Sequence, residues 1–130
     1  MKKKIFLSGL LIIVFTTFCT AQDVIFCERV DKWGNAFKES DHFTIGDKGG
    51  YFQILFRQKE SINSTQATFD IYLKEKETEV FISSVKMNVN PDAIWFYKEV
   101  TFFKPGEYHI YIYNEKDRFL GVGKMTISKQ

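Results

Sequence analysis

Apolar and polar residues alternate with a period of two along much of the chain. Phe52, Ile54 and Phe56 fall on one side of a run whose other side carries Gln53 and Arg57. Phe69, Ile71 and Leu73 alternate in the same way with Thr68, Asp70 and Lys74, and Tyr108, Ile110 and Ile112 with His109, Tyr111 and Tyr113. That period belongs to half-buried strands; a helical stripe would repeat about every 3.6 residues, and no stretch beyond residue 21 does so. Runs rich in Phe, Tyr, Ile and Val recur about every ten residues. They predict strands near 24–30, 42–46, 51–58, 67–75, 79–87, 94–103, 107–114 and 119–127. Between them lie Trp33-Gly34-Asn35, Gly46 to Gly50, Glu77-Thr78, Asn88 to Asp92 and Glu115-Lys116-Asp117. Gly, Asn and Asp supply the positive φ that tight turns need. The pattern is all-β, an antiparallel sandwich of seven to eight strands, and it excludes a parallel βαβ architecture.

The first 21 residues read differently. Met1-Lys2-Lys3-Lys4 is basic, Ile5 to Phe18 is almost wholly apolar, and Cys19-Thr20-Ala21 is small before Asp23. This is the layout of a secretory signal cleaved between Ala21 and Gln22, and it resembles bacterial export signals. The apolar run falls short of the roughly 20 residues that span a bilayer. Lipidation at Cys19 would want a small residue before it and an aliphatic one three before, where Phe18 and Thr16 stand. Residues 22–130 are therefore expected to form a single exported domain, in the periplasm, at the cell surface or outside the cell, with no membrane insertion after signal removal.

The signal also changes the charge picture. The chain has 18 basic and 16 acidic residues, a formal +2. Lys2, Lys3 and Lys4 fall in the signal with no acid, so residues 22–130 carry 15 against 16. Such a balance offers no footprint for nucleic acid or anionic lipid. Cys27 stands alone after cleavage, so no internal disulfide can form and the hydrophobic core must hold the domain.

The most specific local signal is Phe103-Lys104-Pro105-Gly106-Glu107-Tyr108, running into His109-Ile110-Tyr111-Ile112-Tyr113. This Pro-Gly-x-Tyr turn resembles the lead-in to the penultimate strand of bacterial immunoglobulin-like and fibronectin-like modules. The tail from Asp117 to Ile127 resembles their closing strand. The resemblance covers about the last 35 residues and implies an immunoglobulin-like β-sandwich. It also implies a structural corner in which the Tyr108 hydroxyl bonds back to upstream backbone beside Pro105 and Gly106. The cysteine pair and packed tryptophan of antibody-type domains are missing. The fold itself hosts many unrelated functions.

The chemistry is defined mostly by what is missing. His42 and His109 have no Cys or His at zinc spacing. Gly46 to Gly50 lacks the phosphate-loop pattern, and there is no Gly-x-Ser-x-Gly elbow. Asp31, Glu39, Asp41 and Asp47 fit no calcium loop and are interleaved with lysines. No catalytic residue, metal or cofactor is expected, and the chain reads as non-catalytic. Aromatic residues make up 17% of the chain, and many fall on outward positions, where the aliphatic Leu55 joins them: Tyr51, Trp95 and Tyr97, and Tyr72 with Tyr111 and Tyr113. In an immunoglobulin-like order, Tyr72, His109, Tyr111, Tyr113, Val122 and Lys124 share one face. Such a row either braces the sheet through cross-strand pairs or forms a contact surface. The expected role is a protein-binding accessory subunit or adaptor in the bacterial envelope, within a larger complex or alone. The alternative is a carbohydrate-binding module in which Trp33, Trp95 or the tyrosines stack on sugar rings. A thiol chemistry at Cys27 would need a base that the sequence does not place beside it.

Overall fold

The computed structural model describes residues 22–130; the predicted export signal, residues 1–21, lies outside the described residues. In chain order the strands are β1 (Gln22–Cys27), β2 (Arg29–Val30), β3 (Ala36–Phe37), β4 (His42–Ile45) and β5 (Gly50–Gln58). They continue with β6 (Gln66–Glu75), β7 (Thr78–Asn88), β8 (Trp95–Phe102), β9 (Gly106–Asn114) and β10 (Phe119–Lys129). Among the described residues no helix is long and apolar enough to cross a membrane.

One sheet has the order β1-β5-β8 and the other β4-β10-β9-β6-β7. All neighbours in both sheets are antiparallel except β4, which runs parallel to β10. This is the immunoglobulin-like strand order: β1, β5 and β8 stand as A, B and E, opposite β6, β9 and β10 as C, F and G. β7 extends the second sheet beside β6, as a C′ strand does in variable-type domains. The chain is an all-β, immunoglobulin-like sandwich.

The inward positions follow the alternation in the sequence. Phe52, Ile54 and Phe56 of β5 meet Phe69, Ile71 and Leu73 of β6 and Ile110 and Ile112 of β9 in one buried core. Phe96 packs against both Phe56 and Phe69, with ring centroids 5.2 and 5.8 Å away. Three rings, from β5, β6 and β8, thus close the centre of the sandwich with one tilted and one edge-on contact, the latter an arrangement that ring quadrupoles favour.

The predicted strand 24–30 breaks at Glu28, and Ala36–Phe37 forms a strand that the alternation does not announce. The cause is local chemistry. The Asp31 carboxylate accepts from the Trp33 and Asn35 N–H groups, both at 2.9 Å, while Gly34 takes φ +83°. These bonds close a small β2–β3 hairpin that folds back over the outside of the three-stranded sheet. Leu55, expected on a wet face, is fully buried there with Ile25, Cys27 and Val30, and Trp95 packs against them. Cys27 is likewise wholly enclosed, and burial pushes its thiol pKa up, which favours the unreactive protonated form.

Candidate functional site

The outward positions of β9 are Glu107, His109, Tyr111 and Tyr113, and register fixes their neighbours. His109 lies between Tyr72 of β6 and Lys124 of β10, and Tyr111 between Asp70 and Val122. Tyr113 stands between Thr68 and Phe119. The row read from the alternation is therefore brought together on one face.

The rings lock one another. Tyr72 meets Phe81 edge-on at 5.6 Å and Tyr111 at 5.4 Å, with interplanar angles of 71° and 88°. Tyr113 packs edge-on against Phe119 at 5.9 Å. The Tyr111 hydroxyl donates to both Glu79 oxygens at 2.9 and 3.0 Å. Desolvation first, and then that carboxylate, raise the Tyr111 pKa. Tyr113 is raised as well, by desolvation and then by Asp70.

His109 departs from the expectation of a ring open on this face: it is only 8% exposed. Its Nδ1 is hydrogen-bonded to Glu79, and its Nε2 lies 2.8 Å from a Glu107 oxygen. The hydrogen bond from His109 holds the Glu107 carboxyl below the usual carboxylate range. Tyr111, Glu79, His109 and Glu107 thus form one chain of polar contacts beside the aromatic rings, with only His109 buried. What the face presents outward is apolar: Phe81 is 54% exposed, Phe119 51% and Val122 43%. Phe81, Phe119 and Glu79 escape the alternation. Tyr72 pairs with Phe81 but Ile71 with Ser83, so Ile82 is an extra, bulged residue that reverses the parity of β7. The consecutive apolar Val80-Phe81-Ile82 was the one sign of it.

At the base of β9 the Tyr108 ring is buried and its hydroxyl donates to the Lys104 carbonyl at 2.6 Å. Gly106 takes φ +146°, and a Cβ there would come within 2.5 Å of Leu73. Pro105, exposed, precedes this turn. On the opposite sheet Trp95 and Tyr97 stack at 13° with centroids 6.3 Å apart. Beside them an open cleft is lined by Trp33, Asn35, Arg57, Lys59 and Trp95. Among the described residues no three His, Cys, Asp or Glu side chains converge as a metal-holding group.

No family model matches the chain, and no curated protein matches it. Among solved structures it is similar to the superoxide reductase (neelaredoxin) from Ignicoccus hospitalis, at 10% identity and a TM-score of 0.44. That match covers 85% of this chain and 80% of the other. A substituted form of the same protein gives 11% identity and a TM-score of 0.48, over 89% and 86%. A Niemann-Pick type C2 protein from the Japanese carpenter ant gives 13% identity and a TM-score of 0.44, over 67% and 79%. The expectation of a non-catalytic chain is corrected here, because the solved structures it matches include enzymes, the superoxide reductases. At these identities and scores no activity or ligand passes from them to this chain.

Proposed function

We propose that the chain is an exported bacterial envelope module that binds a protein partner, as an accessory subunit or adaptor, through the outward face of its five-stranded sheet. One observation carries the reading. Phe81, Tyr72, Tyr111 and Val122 run side by side across four strands, with Tyr113 and Phe119 alongside. Exposed Lys74, Lys86, Arg118 and Lys124 surround this row. An apolar centre with aromatic anchors and a charged rim is the anatomy of a protein interface. Rings already held by their neighbours lose little entropy on binding. The export part of the reading rests on the basic start and apolar run of residues 1–21.

Tyr111→Ser with Tyr113→Ser tests this in pull-downs from envelope extract, scored by partner recovery. The expected result is a folded protein with binding weakened about thirtyfold, the effect of losing a hot spot. Equal recovery with this variant, and loss with Trp95→Ala and Tyr97→Ser, would place the contact on the other sheet.

A second reading is favoured by the cleft at Trp33 and Trp95, where two indoles stand beside Asn35, Arg57 and Lys59. This is a carbohydrate site in which the rings stack on sugars and the polar groups address hydroxyls. Tryptophan quenching by glycans, abolished in Trp33→Ala, is its expected signature.

A further inference from the structure

β7 is an 11-residue strand at the edge of the five-stranded sheet, bonded to β6 alone. Among the described residues its outer row of N–H and C=O groups faces no other strand, and Val80, Phe81 and Ile82 are all exposed. Long edges with exposed apolar residues are templates for pairing, which proteins blunt with bulges and charges. β7 carries both devices, the bulge at Ile82 and the exposed Lys86.

We infer that β7 pairs antiparallel with β7 of a second copy of this chain, about a two-fold axis at Ser83. The bulge sets which residues can face one another. Because Ile82 is an extra residue, Glu79, Phe81, Ser84 and Lys86 share the outward face, and Val80, Ser83, Val85 and Met87 the inward one. Facing residues of paired strands must lie on the same side of the sheet. With Ser83 opposite Ser83, Phe81 meets the second copy's Ser84, and Val80 meets its Val85. Glu79 then meets its Lys86, and symmetry repeats each pair. Neighbouring symmetric registers match the faces equally well but pair the charges worse: centred on Ser84, Glu79 faces Asn88 and Lys86 faces Phe81; centred on Phe81, Glu79 faces Ser84 and Lys86 reaches only Glu77, in the turn before the strand. Charge pairing within the strand thus singles out one alignment, in which the two bulges flank the axis symmetrically. Opposite charges facing each other across strands stabilise a pair and like charges destabilise it.

Glu79 has room for this. Its two oxygens accept from Tyr111 and contact His109, and a carboxylate offers about four lone-pair sites. The blunting devices therefore disfavour foreign edges while fitting a copy of this one. The result is a continuous ten-stranded sheet from two five-stranded ones. The inference does not depend on the protein-partner reading, since it uses the edge of the sheet rather than its tyrosine face.

Sedimentation velocity across a concentration series tests it. The expected result is a concentration-dependent dimer that Lys86→Glu weakens about tenfold, by setting acid against Glu79 twice. Adding Glu79→Lys to Lys86→Glu should restore the dimer. Because Glu79 also holds His109 and Tyr111, cysteine cross-linking gives a second measurement that leaves it intact. Under mild oxidation Ser83→Cys should form a disulfide-linked dimer, its Cα atoms about 4.5–5.5 Å apart, whereas Ser84→Cys should not. A monomer at every concentration, a dimer indifferent to Lys86→Glu, or cross-linking from Ser84→Cys instead of Ser83→Cys would overturn the inference.

Discussion

The outer faces of both sheets carry apolar side chains and cover them by different means. On the three-stranded sheet the chain covers its own face. The β2–β3 hairpin closes over Ile25, Cys27 and Leu55, and the Trp95 indole packs so near Gly34 that a Cβ there would lie 2.7 Å from it. On the five-stranded sheet no backbone crosses the tyrosines among the described residues; only neighbouring side chains cover them, and Phe81, Phe119 and Val122 stay open. The residue types differ accordingly. Aliphatic side chains and a thiol have no polar end and fill the covered face. The tyrosines of the five-stranded sheet, like Tyr51 and Tyr97 exposed on the other, keep one wet or hydrogen-bonded end.

The comparison breaks most visibly at Leu55. Leu55→Ala should cost about 2–5 kcal/mol in urea melts, the range for a large aliphatic deleted from a close-packed core. A cost below about 1 kcal/mol would mean that the hairpin is not packed on this face. Next comes Gly34→Ala, which combines a strained positive φ with displacement of the Trp95 indole. About 1–3 kcal/mol is expected, with a shift in tryptophan emission as the indole is pushed outward. On the uncovered side Tyr111→Phe removes one hydroxyl donor from Glu79 and leaves the ring contacts in place. It should cost about 0.5–1.5 kcal/mol, the net worth of one hydrogen bond. A larger effect would make the tyrosine face part of the core in all but geometry.

The alternation along the sequence carries most of the fold. Eight predicted runs correspond to β1 and β4 through β10, because each is a short stretch rich in Phe, Tyr, Ile or Val bounded by turn residues. It also places Tyr72, Tyr111 and Tyr113 together, since β6, β9 and β10 are neighbours in the immunoglobulin-like order. Three things escaped it, each for a physical reason. The β2–β3 hairpin is set by the Asp31 side chain bonding its own turn, and two-residue strands are too short to show a period. The alternation gives Phe81 no face, since the Ile82 bulge shifts β7 by one position and one position inverts every side chain beyond it. The burial of His109 depends on Glu79, 30 residues away, which only the pairing of β7 and β9 with β6 brings alongside.

The smallest expected effect is on the acid side of the stability curve, and it again separates the two faces. Asp31 belongs to the hairpin that covers the three-stranded sheet. Its carboxyl is held below the ordinary range chiefly by the Asn35 backbone N–H, with the Asn35 side chain and Trp33 N–H adding to it. Glu107 belongs to the open face and is lowered mainly by the His109 hydrogen bond, with Lys74 and Lys124 nearby. Each carboxyl gives up its proton more readily in the folded chain than in the unfolded one. The stability that each contributes is therefore fully present above the ordinary carboxyl pKa of about 4 and is lost as pH falls through the lowered folded value. Both groups are exposed, so the effect is a change of slope rather than a collapse. Melting temperatures measured between about pH 5 and pH 2 should fall less steeply in Asp31→Asn and in Glu107→Gln than in the parent protein. Asn keeps an oxygen for the turn N–H groups and Gln keeps one for His109, so the bonds can persist while the titration disappears. If Asp31→Asn flattens the acid limb and Glu107→Gln does not, the proton-linked stability lies in the covering hairpin alone. The His109–Glu107 contact would then be a surface pair that the folded state does not need.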